Sequence, residues 1–196
     1  MAIKKILPYG TPLLRQKSKE VLKINKKIRA LINDLLETMY ANNGVGLAAP
    51  QIGEEYRVFV VDTSTGNEPL NPLIFINPKI IKKDGAIIEQ EGCLSFPQVY
   101  TDVKRYKNIT VKAINMQGKP FIMEAKEGSL LARAIQHEND HLDGILFIDH
   151  VVNRFDADEQ LEKNNLPLID PEKILEEPDI EKNLINKTQT DEDNND

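Results

Sequence analysis

An α+β fold is what this sequence predicts, and three observations predict it. Apolar residues recur at helical spacing early in the chain and again near residue 135. Between these two segments lie short strand-like runs punctuated by turn residues. Helices and strands do not alternate, as a doubly wound parallel sheet would require. The expected arrangement is antiparallel strands packed around a central late helix that carries His-Glu-x-x-His, with an amphipathic helix on the N-terminal side.

Each element has its own signal. The first dozen residues lack periodicity and contain Pro8, Gly10 and Pro12, so they are expected to wrap the surface. From Asn25 to Ala41 the residues Ile28, Leu31, Ile32, Leu35, Leu36 and Met39 fall on one helical face, and Asn42-Asn43-Gly44 ends the run. Arg57 to Asp62 reads as a buried strand, and Leu73 to Ile76 as a second one stopped by Asn77-Pro78. Ile80-Ile81 and Ala86 to Ile88 flank Lys83-Asp84-Gly85, an Asp-Gly hairpin signal. Ile109 to Ile114 and Pro120 to Glu124 form a second expected hairpin about Met116-Gln117-Gly118. A helix from Ser129 to Leu142 follows, with Gly144 as its stop.

Composition narrows the class. The chain has 196 residues, 40% hydrophobic and 29% charged, which suits one domain of ordinary size. No run approaches the length of a membrane span. Pro8 interrupts the N-terminus before an apolar signal region can form, and a single cysteine excludes an internal disulfide framework. A cytoplasmic protein is expected. Charge is uneven: residues 1–155 carry 21 Lys+Arg and 17 Asp+Glu, whereas residues 156–196 carry 4 and 14. Residues 156–196 therefore read as an acidic extension, with the last fifteen or so disordered. The weakly basic body, without a recognised motif, gives no direct argument for nucleic acid.

The chemistry gathers in three segments. In His137-Glu138-Asn139-Asp140-His141 the two imidazoles stand at i and i+4, so on a helix both can reach one ion. Glu138 is badly placed to close that chelate but can act as general base on a water beside it. A metal-free helix is the competing reading. Leu130, Leu131, Ala134, Ile135 and Leu142 make this a buried helix, and burying two imidazoles and a carboxylate without partners is costly. A third ligand is open at this point among His150, tail glutamates and Cys93, which sits in Glu91-Gly92-Cys93-Leu94-Ser95. The third segment, Gly44 to Gly53, is rich in small residues that allow close backbone approach, with Gln51 as its hydrogen-bond donor.

Together these segments resemble the peptide deformylase family. Its GxGxAAxQ motif is matched by Gly44 to Gln51, EGCLS by Glu91 to Ser95, and QHExDH by Gln136 to His141. The resemblance covers roughly residues 1–150, so residues 1–155 are taken as the catalytic domain. It implies Cys93, His137 and His141 as metal ligands on a central metal-binding helix, with Glu138 as general acid/base. It assigns oxyanion binding to the Gln51 amide and the Leu94 backbone N–H. Gly46 is implied to contact the substrate backbone, and Val45, Leu130 and Ala134 to line a methionine pocket. Glu91 and Arg105 form a supporting ion pair in this reading.

The implied reaction releases formate from N-formylmethionyl nascent peptides. The implied cofactor is one divalent metal, ferrous iron by resemblance, with Ni²⁺, Co²⁺ or Zn²⁺ also accepted. A zinc endopeptidase shares His-Glu-x-x-His but leaves Cys93, Leu94 and Gln51 unexplained, and a non-catalytic peptide binder leaves Glu138 without a task. Two departures stand out. Some relatives have an Arg shortly after the second motif, where this chain reads Phe96-Pro97-Gln98-Val99-Tyr100. Some also dock on the ribosome through a basic C-terminal helix. Here the tail is acidic and RNA phosphates would repel it, so ribosome association is expected without such a helix or through the basic body.

Overall fold

The computed structural model describes residues 2–64 and 69–175, and the expectation of a disordered terminus lies outside them. Helix α1 (Lys26–Ala41) begins at Asn25, whose side chain accepts a hydrogen bond from the Ile28 N–H. A five-stranded sheet runs in the order β1 (Gly46–Ala48), β2 (Val58–Val61), β3 (Leu73–Asp84), β6 (Asn108–Ile114) and β7 (Pro120–Ala125), and every pairing is antiparallel. Strands β4 (Ile87–Cys93) and β5 (Phe96–Arg105) form a separate two-stranded sheet. Helices α2 (Leu130–Leu142) and α3 (Arg154–Lys163) complete an α+β architecture.

The uninterrupted apolar run of β2 has a structural cause. Val58 and Val60 face Ile28, Ile32 and Leu35 of α1, while Phe59 and Val61 face Ala132, Ile135 and Leu142 of α2. The strand is covered on both sides, so alternation with polar residues is not available to it. A third apolar cluster joins Phe96, Val99 and Val103 of β5 to Phe147 and to Ala157 and Leu161 of α3. Ile169 is buried in the same cluster, and Leu175 N–H donates to Asp149 O at 2.9 Å. Packing therefore crosses the 155/156 boundary expected from charge: α3 is acidic on its outer side but keeps two apolar residues, one turn apart, for the core.

Two local expectations are corrected. The chain does turn at Gly85, but β3 and β4 do not pair: β3 lies against β6, and β4 turns back on β5 at Cys93–Phe96. The Asp-Gly turn thus carries the chain from one sheet to the other. Nor does Asn77-Pro78 stop β3. The register with β6 shifts between Ile76 and Lys79, and this bulge accommodates a residue that cannot donate to the ladder. Asn77 takes a left-handed conformation (φ 50°), with its side chain accepting from Val21 N–H at 2.8 Å and donating to Val21 O at 2.9 Å. The β6–β7 hairpin turns through Asn115 to Lys119, whose N–H donates to the Asn115 side chain.

The N-terminal segment is tied down from behind. Lys4 N–H donates to Thr38 Oγ1, Leu7 N–H to Gln51 O and Tyr9 N–H to Ser95 O. It therefore braces the small-residue segment at Gln51 and the Cys93 segment at Ser95. Helix α2 starts at Ser129, which caps Ala132 N–H, and ends in a reversal in which Ile145 N–H donates to Asp140 O. Gly144 at that reversal has φ 73°, and a Cβ there would lie 2.5 Å from Arg15 O. Asn77→Ala removes two part-buried side-chain bonds and an αL-tolerant residue, so it is expected to destabilise the fold by about 1–3 kcal/mol. Urea unfolding checks this; a loss indistinguishable from that of an exposed Asn→Ala control would contradict the anchoring role of the bulge.

Candidate metal centre and substrate cavity

Helix α2 brings His137 and His141 one turn apart, with ring centroids separated by 5.0 Å. Cys93, the last residue of β4, places Sγ 3.4 Å from His141 Nε2. One donor atom from each of Cys93, His137 and His141 falls within 4.8 Å of the others. His150, open as a third donor on sequence grounds, points elsewhere and donates through Nε2 to Asp140 Oδ2 at 2.9 Å.

The imidazole of His137 is oriented by its neighbour. Glu91 can only accept, so His137 donates from Nδ1 to Glu91 Oε2 at 3.1 Å, which leaves Nε2 for an ion. Burial and the nearby His137 keep His141 well below the usual imidazole range and hence neutral. At His137, burial opposes protonation, but the Cys93 sulfur and the Glu91 carboxylate outweigh it and raise the group well above the usual range. The Cys93 sulfur and the Glu91 carboxylate thus favour a positive charge beside His137. A soft sulfur with two nitrogens is a donor set suited to a transition metal. The residues present fit such an ion.

Behind this centre, Arg105 is 4% exposed. Its Nε and Nη2 donate to the two oxygens of Glu91, both at 2.9 Å, and its Nη1 reaches Asp140 Oδ2. Burial alone would raise both carboxyls. The Arg105 charge more than reverses this, holding Glu91 well below the usual carboxylate range and, with His150, Asp140 at about 2. The ion pair expected between Glu91 and Arg105 is present. Its extension to Asp140 and His150 was not legible from spacing, because it joins three elements far apart in the chain.

Glu138 follows the opposite course. Burial, with Glu91 adding to it, pushes its carboxyl up to about 7, and its Oε2 is buried without a hydrogen-bond partner among the described residues. Its other oxygen lies against Gly46, where a Cβ would come within 2.4 Å of Oε1. Glycine at this place lets β1 approach the carboxylate. Gln51, on a 3-10 turn (Ala49–Ile52), accepts from Ala48 N–H through Oε1 at 2.8 Å. That bond turns Nε2 toward Cys93 Sγ (3.4 Å) and Ser95 Oγ (3.3 Å). Ser95 is the partner that sequence reasoning missed, although it stands in the same motif as Cys93.

A cavity of about 510 Å³ opens in front of these groups. Gln51, Cys93, Leu94, His137 and Glu138 lie on its wall, as do Gly46, Val45, Leu130 and Ala134. His141, 1% exposed, is not on the wall. Arg133 also lines the cavity and donates to Gln90 O at 3.3 Å. Its position four residues before His137 on α2 was the available signal for that placement. Tyr100 stands on the wall, with its ring packed over Gly92.

Comparison with known proteins agrees with this geometry. The family model described as polypeptide deformylase matches residues 3–157. The chain is 47% identical over 150 residues to peptide deformylase 1 of Clostridium perfringens, covering 76% of this chain and 99% of that protein. It is 49% identical over 152 residues to the peptide deformylase of Dictyoglomus turgidum, covering 78% and 93%. The crystal structure of a Synechococcus elongatus peptide deformylase in complex with actinonin superposes with a TM-score of 0.79 at 40% identity, covering 87% and 90% of the two chains. The matched region contains the Cys93, His137 and His141 cluster together with Gln51 and Glu138, and the chain belongs to the peptide deformylase family, metal-dependent hydrolases that remove the formyl group from the N-terminal methionine of newly made proteins.

Proposed function

We propose that this protein deformylates N-formylmethionyl nascent peptides, with Cys93, His137 and His141 holding one divalent metal. The observation that carries this reading is the buried Glu138 carboxylate, whose Oε2 has no hydrogen-bond partner among the described residues and which shares one cavity wall with the Gln51 amide and with Cys93 and His137. Ferrous iron is the ion this reading favours, by family resemblance, and Ni²⁺, Co²⁺ or Zn²⁺ suit the same donors. When bound, such an ion polarises a carbonyl and lowers the pKa of water.

The chain's own groups account for the remaining chemistry. Two open strand edges, β1 and β4, flank the cavity through Gly46 and through residues 90–93. An extended peptide can lie between them, with its backbone on Gly46 and its methionine side chain against Val45, Leu130 and Ala134. Glu138 takes a proton from the attacking water and holds it in a dry site where the neutral carboxyl is favoured. It then returns the proton to the departing amine nitrogen. As charge gathers on the formyl oxygen, Gln51 Nε2 donates to it, and the Leu94 N–H acts as a second donor. The products are formate and a free N-terminus.

Nascent chains as substrate place the proposed work in the cytoplasm, with ribosome association as the means of meeting them. In this reading residues 1–155 form the catalytic domain and residues 156–196 an acidic extension whose first part packs onto it. The deciding assay is formate release from formyl-Met-Ala-Ser by anaerobically purified, nickel-reconstituted protein. The unformylated peptide should stay intact; cleavage of that control would indicate a peptidase, and bound metal without formate a binding protein.

Two substitutions test the assigned groups. Gln51→Ala is expected to lower kcat by about 10²–10³ with metal content unchanged. Steady-state kinetics checks this, and full activity would remove Gln51 from the reaction. Gly46→Ala would drive a methyl group into Glu138, so kcat should fall while metal content stays at one per chain. If Gly46→Ala keeps the full rate, the close approach of β1 to Glu138 has no catalytic consequence.

A further inference from the structure

A second cavity, of about 630 Å³, lies apart from the first. Helix α2 separates them: His137 and Glu138 line one, and Asn139, on the other side of the helix, lines the other. Its remaining wall comes from the segment around Ser18, from Arg57, and from β3 and β6. None of the groups assigned to deformylation above faces it.

Its charge is unbalanced. Two acids, Glu20 and Asp143, lie on the wall, and Asp143 is occupied by Arg57, which donates to both of its oxygens at 2.7 and 3.3 Å. Lys17 is 3.9 Å from the same carboxylate, and Lys83 stands over the Tyr106 ring at 5.1 Å. Lys79 and Lys112 form no ion pair among the described residues, yet they sit directly opposite each other across β3 and β6. Like charges facing each other in this way destabilise a strand pair unless an anion lies between them.

Two polar atoms are also left over on this wall. Ser18, 7% exposed, has a buried Oγ with no hydrogen-bond partner among the described residues, and the same holds for the buried Asn139 Oδ1. A buried hydroxyl and a buried carbonyl oxygen without partners are unfavourable in a folded protein. The hydroxyl can donate to an anionic oxygen. The Asn139 oxygen needs a donor, which a bare anion lacks and a sugar hydroxyl has. The free cations are ammonium groups rather than guanidinium forks, and the one guanidinium present is already paired. Ammonium groups bind phosphate as point charges, without the fixed orientation that a guanidinium fork imposes.

We propose that this cavity is a binding site for a ribose phosphate. Lys79 and Lys112 receive the phosphate, the Ser18 hydroxyl donates to one of its oxygens, and Asn139 Oδ1 accepts from a sugar hydroxyl. The volume falls within the usual range for a ligand site, about 300–1,000 Å³. Both a free nucleotide and the backbone of an RNA strand carry this chemistry.

The experiment titrates the full-length, metal-loaded protein with ADP, with a short fluorescein-labelled single-stranded RNA, and with DNA of the same sequence. Fluorescence anisotropy follows the nucleic acids, and calorimetry follows ADP. Saturable binding weakened about tenfold or more by the double variant Lys79→Gln/Lys112→Gln, with a shallower salt dependence, supports the site. Formate release should be unchanged in that variant, so a failure of the deformylase reading would be seen separately. Tighter binding of RNA than of ADP would identify a strand as the ligand, and the reverse a free nucleotide. RNA binding no tighter than DNA would overturn the role given to Asn139. Absence of binding by both ADP and RNA at millimolar concentration, or binding indifferent to the double variant, would overturn the site itself.

Discussion

A buried guanidinium between two carboxylates sets the geometry on which the rest depends. Arg105 belongs to β5, Glu91 to the paired strand β4, and Asp140 to helix α2. The pair and its extension therefore fasten the two-stranded sheet to the helix. Cys93 lies two residues beyond Glu91, and His137 and His141 bracket Asp140, so the three donors meet only if that joint holds. Removing one partner of such a network strands a buried charge, at a cost of about 3–5 kcal/mol. An apolar replacement of the whole network could restore stability, but it could not orient His137, because Glu91 also accepts from its Nδ1.

The second constraint is steric. The site requires a strand, a turn and a helix to approach more closely than ordinary side chains permit. Gly46 admits the Glu138 carboxylate, and Ala48 supplies the backbone N–H that turns the Gln51 amide toward Cys93. Both sit in or beside an edge strand backed by β2, whose residues are buried by α1 on one face and α2 on the other. The N-terminal segment then closes the rear, bonding to the backbone of Gln51 and of Ser95. A polar, reactive wall is thus mounted on a rigid apolar support, which limits the reorganisation its donors must undergo.

How much of this was legible in sequence depends on the range of the interaction. The helices around Leu31 and Ile135 were visible because burial on one face imposes a 3.6-residue period. Helical spacing marked His137, Glu138 and His141, whereas Cys93 as third donor and Gly46, Val45, Leu94, Leu130 and Ala134 on the cavity came only from the family resemblance carried by three short motifs. Strand pairing was less visible. The Asp84-Gly85 dipeptide specifies a turn but not which strand the chain pairs with afterwards, and the structure sends it to another sheet. Asn77-Pro78 reads as a stop until the bonds from Asn77 to Val21, far away in sequence, are seen to stabilise a bulge there. The charge step at 155 reports composition and not packing, since Ala157 and Leu161 contribute to the core through two positions that average composition hides.

The measurement that tests this account most directly is the metal affinity of Glu91→Gln, determined by chelator competition on protein shown to be folded by circular dichroism. The substitution keeps the shape of the side chain but removes the charge that pairs with Arg105 and orients His137. A loss of about 10–100-fold in affinity, with the fold retained, is the result predicted for a partner that positions a metal ligand. Unchanged affinity in a folded variant would contradict the claim that the Arg105 network holds the centre together.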